Sequence, residues 1–326
     1  MKELSPGKRR GLQACATNEG VFAILALDHR DSLRAIIAPD APQAVTPSQL
    51  TGVKLAVIEH LAGAASAVLL DPVYSLGRAI TTGRLPGHVG AMAALEEQGY
   101  LSDPYHRQTP LLAGWSVAKA KRLGVNGIKL LLFYHPEAGA ATEAQDRLVR
   151  SIAADCERSE MPFFLEPISY SINPEIKKDS AEFAAQRRRI IIDTVRRLSP
   201  LGPDVMKVEF PLDARYDSDP GVWAEACAEL SEASPIPWTL LSAGESFEMF
   251  KQQLQVACRA GCSGFVGGRS IWQEAARLTG AAQTDFLTST ARQRFLELQQ
   301  VVLTEGTPWT QHFISEQVDE YWFQQY

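Results

Sequence analysis

VMKVEFP, residues 205–211, reads as a short buried strand closed by a proline that cannot continue a hydrogen-bonded ladder. Side chains alternate with period two, so Val205, Lys207 and Glu209 share one face while Met206, Val208 and Phe210 share the other. With the apolar set packed on helices, Lys207 and Glu209 point into the protein. A buried ammonium is costly, so such a lysine is either held in a Lys–Glu ion pair or kept for its reactivity. The strand alone leaves both readings open.

Seven further apolar runs flank it: VFAILALDHR (21–30), AVLLDPVY (67–74), LLAGW (111–115), GIKLLLFYH (127–135), PFFLEPI (162–168), WTLLSAG (238–244) and GFVGGR (264–269). Helical patterns separate them, over 32–38, 48–63, 89–98, 117–123, 143–159, a helix carrying Arg187 to Arg197, 222–233 and 246–260. Eight strands spaced by helices predict an α/β fold, a TIM (β/α)8 barrel with extra C-terminal helices; a doubly wound open sheet is the rival. The barrel is favoured because Asp28, Asp71, Lys129, Glu166, Lys207 and Arg269 stand where the apolar runs end, and the carboxyl ends of barrel strands carry the active site. We expect one domain over residues 1–326, with an N-terminal helix at about 5–18 and a helical tail at about 273–326.

Composition narrows the function classes. The 326 residues are 45% hydrophobic and 21% charged with a net charge of −6, which supplies no basic field for nucleic acid or an acidic membrane. No apolar stretch approaches a membrane span, and MKELSPGKRRGL lacks the apolar core of a secretion signal. The five cysteines, Cys15, Cys156, Cys227, Cys258 and Cys262, have no CxxC spacing and read as buried thiols, which fits a reducing cytoplasm. The expectation is a cytoplasmic protein with a small-molecule partner and no nucleic acid or membrane partner. The helical tail is a candidate interface for a homo-oligomer.

Lys129, Glu166 and Lys207 lie on three successive strands about 4.8 Å apart, which makes a compact charged cluster. It is either an interior salt-bridge network or a Schiff-base lysine, made reactive by burial and a second ammonium, beside a carboxylate that moves protons. Ser242-Ala243-Gly244 and Gly267-Gly268-Arg269 end the last two strands, whose loops are the usual phosphate seat of this fold. Glycine admits close backbone approach and Arg269 adds a fork of charged donors, so this pattern tips the reading toward a sugar phosphate. His29 and His135 also end strands and could bind a metal with Asp28, but dense ligand spacing is missing, so neither metal nor other cofactor is expected. The arginines from Arg187 to Arg197 read as a solvated helix face, and Trp223, Trp238 and Trp272 as core.

The stretches LALDHRDSLRAII, DPVYSLG, GIKLLLFYHPE, PFFLEPISY, VMKVEFPLDARY, LLSAG and GFVGGRSIW resemble, in order and over nearly the whole chain, the tagatose-1,6-bisphosphate aldolase family of class I aldolases. They are also similar to the related sulfofructose-phosphate aldolases. The resemblance implies that Lys207 is the Schiff-base lysine and Glu166 the main acid/base. It places Asp28 and Lys129 around the substrate hydroxyls, and Ser242, Gly244, Gly268 and Arg269 on the C1 phosphate. His29 stands where many members carry glutamine and Arg215 where many carry lysine, so His29, Arg30 and Arg215 become the candidates for the far end of the sugar.

The expected reaction is reversible cleavage of a ketose 1,6-bisphosphate, tagatose 1,6-bisphosphate first, into dihydroxyacetone phosphate and glyceraldehyde 3-phosphate. Sulfofructose 1-phosphate, giving sulfolactaldehyde, is the alternative. A non-covalent phosphosugar isomerase or epimerase and a non-catalytic sugar-phosphate-binding regulator are the rivals from other classes.

Overall fold

The computed structural model describes residues 2–97, 103–315, 318–324 and 326. The chain opens with β1 (Lys2–Leu4) and α1 (Pro6–Cys15). It then enters eight parallel strands, β2 (Phe22–Leu27), β3 (Ala67–Leu70), β4 (Gly90–Ala94), β5 (Gly127–Tyr134), β6 (Phe163–Ser169), β7 (Val205–Val208), β8 (Trp238–Leu241) and β9 (Gly264–Gly267). Each pairs with its neighbours in sequence, and β9 returns to β2, so the ring closes without an edge. Every residue of β2, β3, β4, β7, β8 and β9 is buried, which is why these runs are apolar almost throughout, Lys207 and Thr239 excepted, and do not alternate. The fold is a TIM barrel, as the spacing predicts.

Helices fill the crossovers: α2 (Asp31–Ile37), α3 (Pro47–Leu61), α4 (Leu76–Thr81), α5 (Val117–Leu123), α6 (Ala140–Arg158), α7 (Ala181–Leu198), α8 (Pro220–Ala233) and α9 (Phe247–Arg259). Ser116, Ser180 and Ser246 start α5, α7 and α9 by accepting a backbone N–H three residues on. The short α10 (Arg269–Trp272), α11 (Gly280–Phe286) and α12 (Arg292–Glu305) follow, and α12 packs beside α9 and α3 to complete the outer ring. A final strand, β10 (Phe313–Ser315), pairs with β1 outside the barrel.

Two expectations fail on the same stretch. Residues 89–98 do not form a helix: Gly90–Ala94 is the third barrel strand, and Gln98 lies outside the described residues. LLAGW (111–115) is loop, held against the barrel by an isolated bridge from Leu111 to Glu96 and by the Trp115 indole, which donates to the Ala94 carbonyl at 3.1 Å. Alanine-rich GAMAA has high helix propensity, but close packing where it begins overrides it: a Cβ on Gly90 would sit 2.2 Å from the Ala14 carbonyl oxygen. Tertiary packing overrides local preference. The barrel-strand part of VMKVEFP also ends earlier than its proline, at Val208, leaving Glu209 beyond it.

α1 lies at the amino end of the barrel. Its Gly11 permits contact too close for any side chain, since a Cβ there would meet Pro162 Cδ at 2.5 Å. Fully buried Asp204, just before β7, accepts from Lys8 Nζ at 3.0 Å and from the Phe163 amide at 2.9 Å, fastening α1 to the base of β6 and β7.

Candidate active site

At the carboxyl end of the ring a cavity of about 440 Å³ is lined by residues on or just after every barrel strand but β3, among them Asp28, Glu96, Glu166, Lys207 and Arg269. Register explains how they meet. Leu131 pairs with Glu166 and Lys129 with Phe164, so Lys129 starts one layer deeper than Glu166 and its chain rises through the interior. Its ammonium is 1% exposed and ends 2.6 Å from Asp28 Oδ2, 2.7 Å from Glu96 Oε1 and 2.7 Å from Glu166 Oε2. Burial opposes its charge, but Asp28, Glu166 and Glu96 outweigh that and hold Lys129 protonated well above its ordinary range. Burial likewise opposes the Asp28 carboxylate, and Lys129 and Lys207 hold it well below the usual carboxylate range.

Lys207 Nζ lies 2.7 Å from Glu166 Oε1, and both groups are buried. Glu166 therefore bridges two ammoniums, one through each oxygen. Its pairing carries the charge balance that a Lys207–Glu209 pair would otherwise supply. Glu209 turns elsewhere: it accepts from the Ser169 amide at 2.7 Å, the Ser169 hydroxyl at 2.6 Å and Lys178 Nζ at 2.8 Å, with Arg187 at 3.5 Å. Burial opposes the Glu209 charge as well, but Lys178 and Arg187 bring its carboxyl down to about 2. Arg187 corrects a second expectation. It is buried and donates to the Phe210 carbonyl at 3.1 Å, whereas Arg188, Arg189, Arg196 and Arg197 pair with acids outside the core.

After β8 and β9 the two glycine-bearing turns come together. Gly244 takes φ +86°, and a Cβ there would press within 3.2 Å of the Arg269 guanidinium. Ala243 holds a left-handed φ of +50°, costly for a residue with a side chain. A Cβ on Gly268 would strike the Ala26 carbonyl oxygen and the His29 ring at 2.8 Å. Gly267 closes β9 and Ser242 is buried just beyond β8. Of these six residues Ala243 and Arg269 line the cavity directly. Arg269 Nε is buried with no hydrogen-bond partner among the described residues, and burial pulls the guanidinium below its ordinary range. The seat thus presents an underused cation over a glycine floor, which suits an oxyanion.

His29 lines the same cavity, edge-on to Trp272 at 5.4 Å, with its Nδ1 unpartnered and 3.9 Å from Asp28. Burial, opposed by Asp28 and aided by Arg269, pushes its pKa down to about 3, so the imidazole is neutral. Arg30 and Arg215 do not join it. Arg30 is buried and donates to the Glu96 carbonyl, and Arg215 forks onto Asp213 at 2.9 and 2.6 Å beside a neighbouring cavity. Asp71 also stays out: fully buried, it pairs with Lys54, whose ammonium donates to the Leu27 carbonyl at 2.7 Å and so holds the end of β2. His135 accepts from the Glu137 amide at 3.1 Å within a separate apolar cluster with Tyr170. Among the described residues no three His, Cys, Asp or Glu side chains are grouped to hold a metal.

Glu96 and Lys178 escaped the sequence reading. Glu96 had a usable signal, an acid just past the end of β4 much as Asp28 follows the end of β2, hidden by the helical assignment. Lys178 had none, because it belongs to the irregular crossover before α7.

Residues 22–274 match the family described as DeoC/LacD family aldolase. The chain is 29% identical to tagatose 1,6-diphosphate aldolase 2 of Streptococcus mutans, an alignment covering 94% of this chain and 98% of that protein. It is 31% identical to tagatose 1,6-diphosphate aldolase 1 of Enterococcus faecalis, over 93% of this chain and 96% of the other. Among solved structures, a fructose-bisphosphate aldolase from Plasmodium falciparum superposes with a TM-score of 0.68 at 13% identity, covering 94% of this chain and 98% of that one. A Schiff-base-forming fructose-1,6-bisphosphate aldolase gives 0.54 at 17% identity, over 88% and 99%. At such identities the structural likeness speaks to the fold.

Proposed function

The chain belongs to the DeoC/LacD family of aldolases, and from that premise we propose that it cleaves a ketose 1,6-bisphosphate, tagatose 1,6-bisphosphate first, through a Schiff base on Lys207. The products are dihydroxyacetone phosphate and glyceraldehyde 3-phosphate. The observation that carries this reading is the 2.7 Å contact between Lys207 Nζ and Glu166 Oε1 inside a cavity also lined by Arg269, whose Nε has no hydrogen-bond partner among the described residues.

Glu166 takes a proton from the Lys207 ammonium, and the freed lone pair adds to the C2 carbonyl. The nitrogen passes a proton to the new alkoxide, and protonated Glu166 returns its proton as the carbinolamine hydroxyl leaves as water. The iminium that results withdraws the C3–C4 bonding pair while Glu166 takes the C4 hydroxyl proton. An aldehyde departs and an enamine remains. Glu166 then protonates C3, and water releases the ketone and the free amine. Lys129, fixed by Asp28 and Glu96, keeps Glu166 oriented between these steps. Arg269, with the turns at Ser242–Gly244 and Gly267–Gly268, anchors the C1 phosphate so that C2 lies over the amine.

Lys207→Met tests the reading. Turnover should vanish while thermal unfolding shows a folded protein, and the wild-type enzyme should keep its activity in a chelator. Cleavage that survives the substitution but not the chelator would overturn it.

A further inference from the structure

We infer that Lys178 seats the substrate's second oxyanion, a phosphate or sulfonate at the far end of the ketose, where the catalytic cavity opens into a polar cavity beside it. The inference rests on the aldolase reading above. Among the described residues the catalytic cavity is lined by three basic side chains: Lys207, Arg269 and Lys178. The first is assigned to the carbonyl and the second to the C1 phosphate. Of the expected distal contacts, His29 lines the cavity as a neutral ring, while Arg30 and Arg215 are spent on the Glu96 carbonyl and on Asp213.

Lys178 is suited to the task by what it has left over. Its ammonium donates to the Ser169 carbonyl at 2.7 Å and to Glu209 at 2.8 Å, and its third proton has no acceptor among the described residues. The side chain is 39% exposed, so its charge meets arriving solutes, unlike the buried Lys129. Glu209 does not cancel it, because Arg187 shares that carboxylate at 3.5 Å; the trio of Lys178, Arg187 and Glu209 carries a net charge of +1.

The second cavity, about 370 Å³, meets the first along Lys178, Glu209, Leu241 and Ala243, which line both. Beyond that seam the second cavity is lined by Arg187 and Arg215 but also by the carboxylates Asp179, Asp213 and Glu245, with Asp213 forked by Arg215. A distal oxyanion is therefore held at the seam by Lys178 and kept from going deeper by the acids beyond it. Across the barrel, the cavity rim after β2 and β4 carries the carboxylates Asp31 and Glu97, which repel it.

The test compares wild type, Lys178→Gln and Lys178→Arg on tagatose 1,6-bisphosphate, sulfofructose 1-phosphate and tagatose 1-phosphate. Glu209 keeps Arg187 and Ser169 in both variants, so the fold should hold. In Lys178→Gln the preference for a doubly anionic ketose over the 1-phosphate should drop roughly 10- to 100-fold, mainly through KM, the worth of one charged hydrogen bond. Lys178→Arg should restore most of it, and the ketose with the larger drop identifies the oxyanion served. An unchanged preference, or equal losses on all three ketoses, overturns the assignment. Borohydride trapping of dihydroxyacetone phosphate on wild type reports separately on the aldolase reading: without an adduct that reading falls too, and with one only the role of Lys178 falls.

Discussion

Glu96 and Lys129 meet at 2.7 Å inside the barrel, and the same glutamate accepts the Leu131 amide at 3.0 Å through its other oxygen. One carboxylate therefore fixes both the ammonium and the strand segment that carries it, which makes Glu96 a positioning residue for the Lys129–Glu166 contact. Glu96→Gln keeps an oxygen for Leu131 but sets amide protons against the ammonium. We expect kcat to fall roughly 100-fold, within the span of general acid–base contributions, and the pH dependence of kcat/KM to move because Glu166 answers to a less constrained Lys129. A profile of unchanged shape with normal kcat would show that Glu96 only braces the strand.

Acid should weaken the fold through His29 and Glu209. His29 is depressed to about 3 in the folded protein, so the unfolded chain binds its proton first as pH drops below the ordinary 6.5. Glu209, at about 2 when folded, adds to the same loss below its ordinary 4.5. Stability is thus fully present above pH 6.5 and declines from there to about pH 3, and further toward pH 2. Urea titrations should show His29→Gln flattening the pH 4–6 limb by about 1.4 kcal/mol per pH unit, one proton's worth. Parallel curves for the two proteins would remove His29 from the account.

Gly244→Ala should injure the phosphate seat without touching the amine. The residue would need φ +86° and would push a methyl against the Arg269 guanidinium, at a backbone cost of about 1–2 kcal/mol. The expected signature is a KM raised about tenfold, the effect of 1.4 kcal/mol, with weaker competitive inhibition by inorganic phosphate. Inhibition as strong as in wild type would place the phosphate elsewhere.

At the opposite end of the barrel, Asp204→Ala leaves the buried Lys8 ammonium with Glu157 at 2.8 Å as its remaining acid and strands the Phe163 amide. The loss should be about 1–3 kcal/mol in urea unfolding, the cost of leaving a buried donor without its acceptor, while kcat stays at the wild-type value. A drop in kcat with little change in stability would contradict the separation between the supporting and reacting ends.

Much of this architecture was legible because a buried parallel strand announces itself as an apolar run, and an ionisable residue at its end has few inexpensive structural explanations. Asp28, Lys129, Glu166, Lys207 and Arg269 stand out on that ground, and the fold brings all five to the cavity or its floor. Asp71 carries the same mark yet serves Lys54, since a strand end can face the surrounding helices as well as the interior. Glu96 was hidden because alanine favours helix wherever packing does not intervene, and only the crowding around Gly90 shows that it does. Lys178 was hidden for a different reason: an irregular crossover has no period from which to infer a direction.

Borohydride reduction in the presence of dihydroxyacetone phosphate, followed by peptide mass mapping, tests the central claim most directly. The account predicts one reduced triose-phosphate adduct per chain, on the peptide holding Lys207, absent in Lys207→Met and much reduced in Glu166→Gln. An adduct on Lys129 or Lys178, or turnover with no adduct on any lysine, would contradict it.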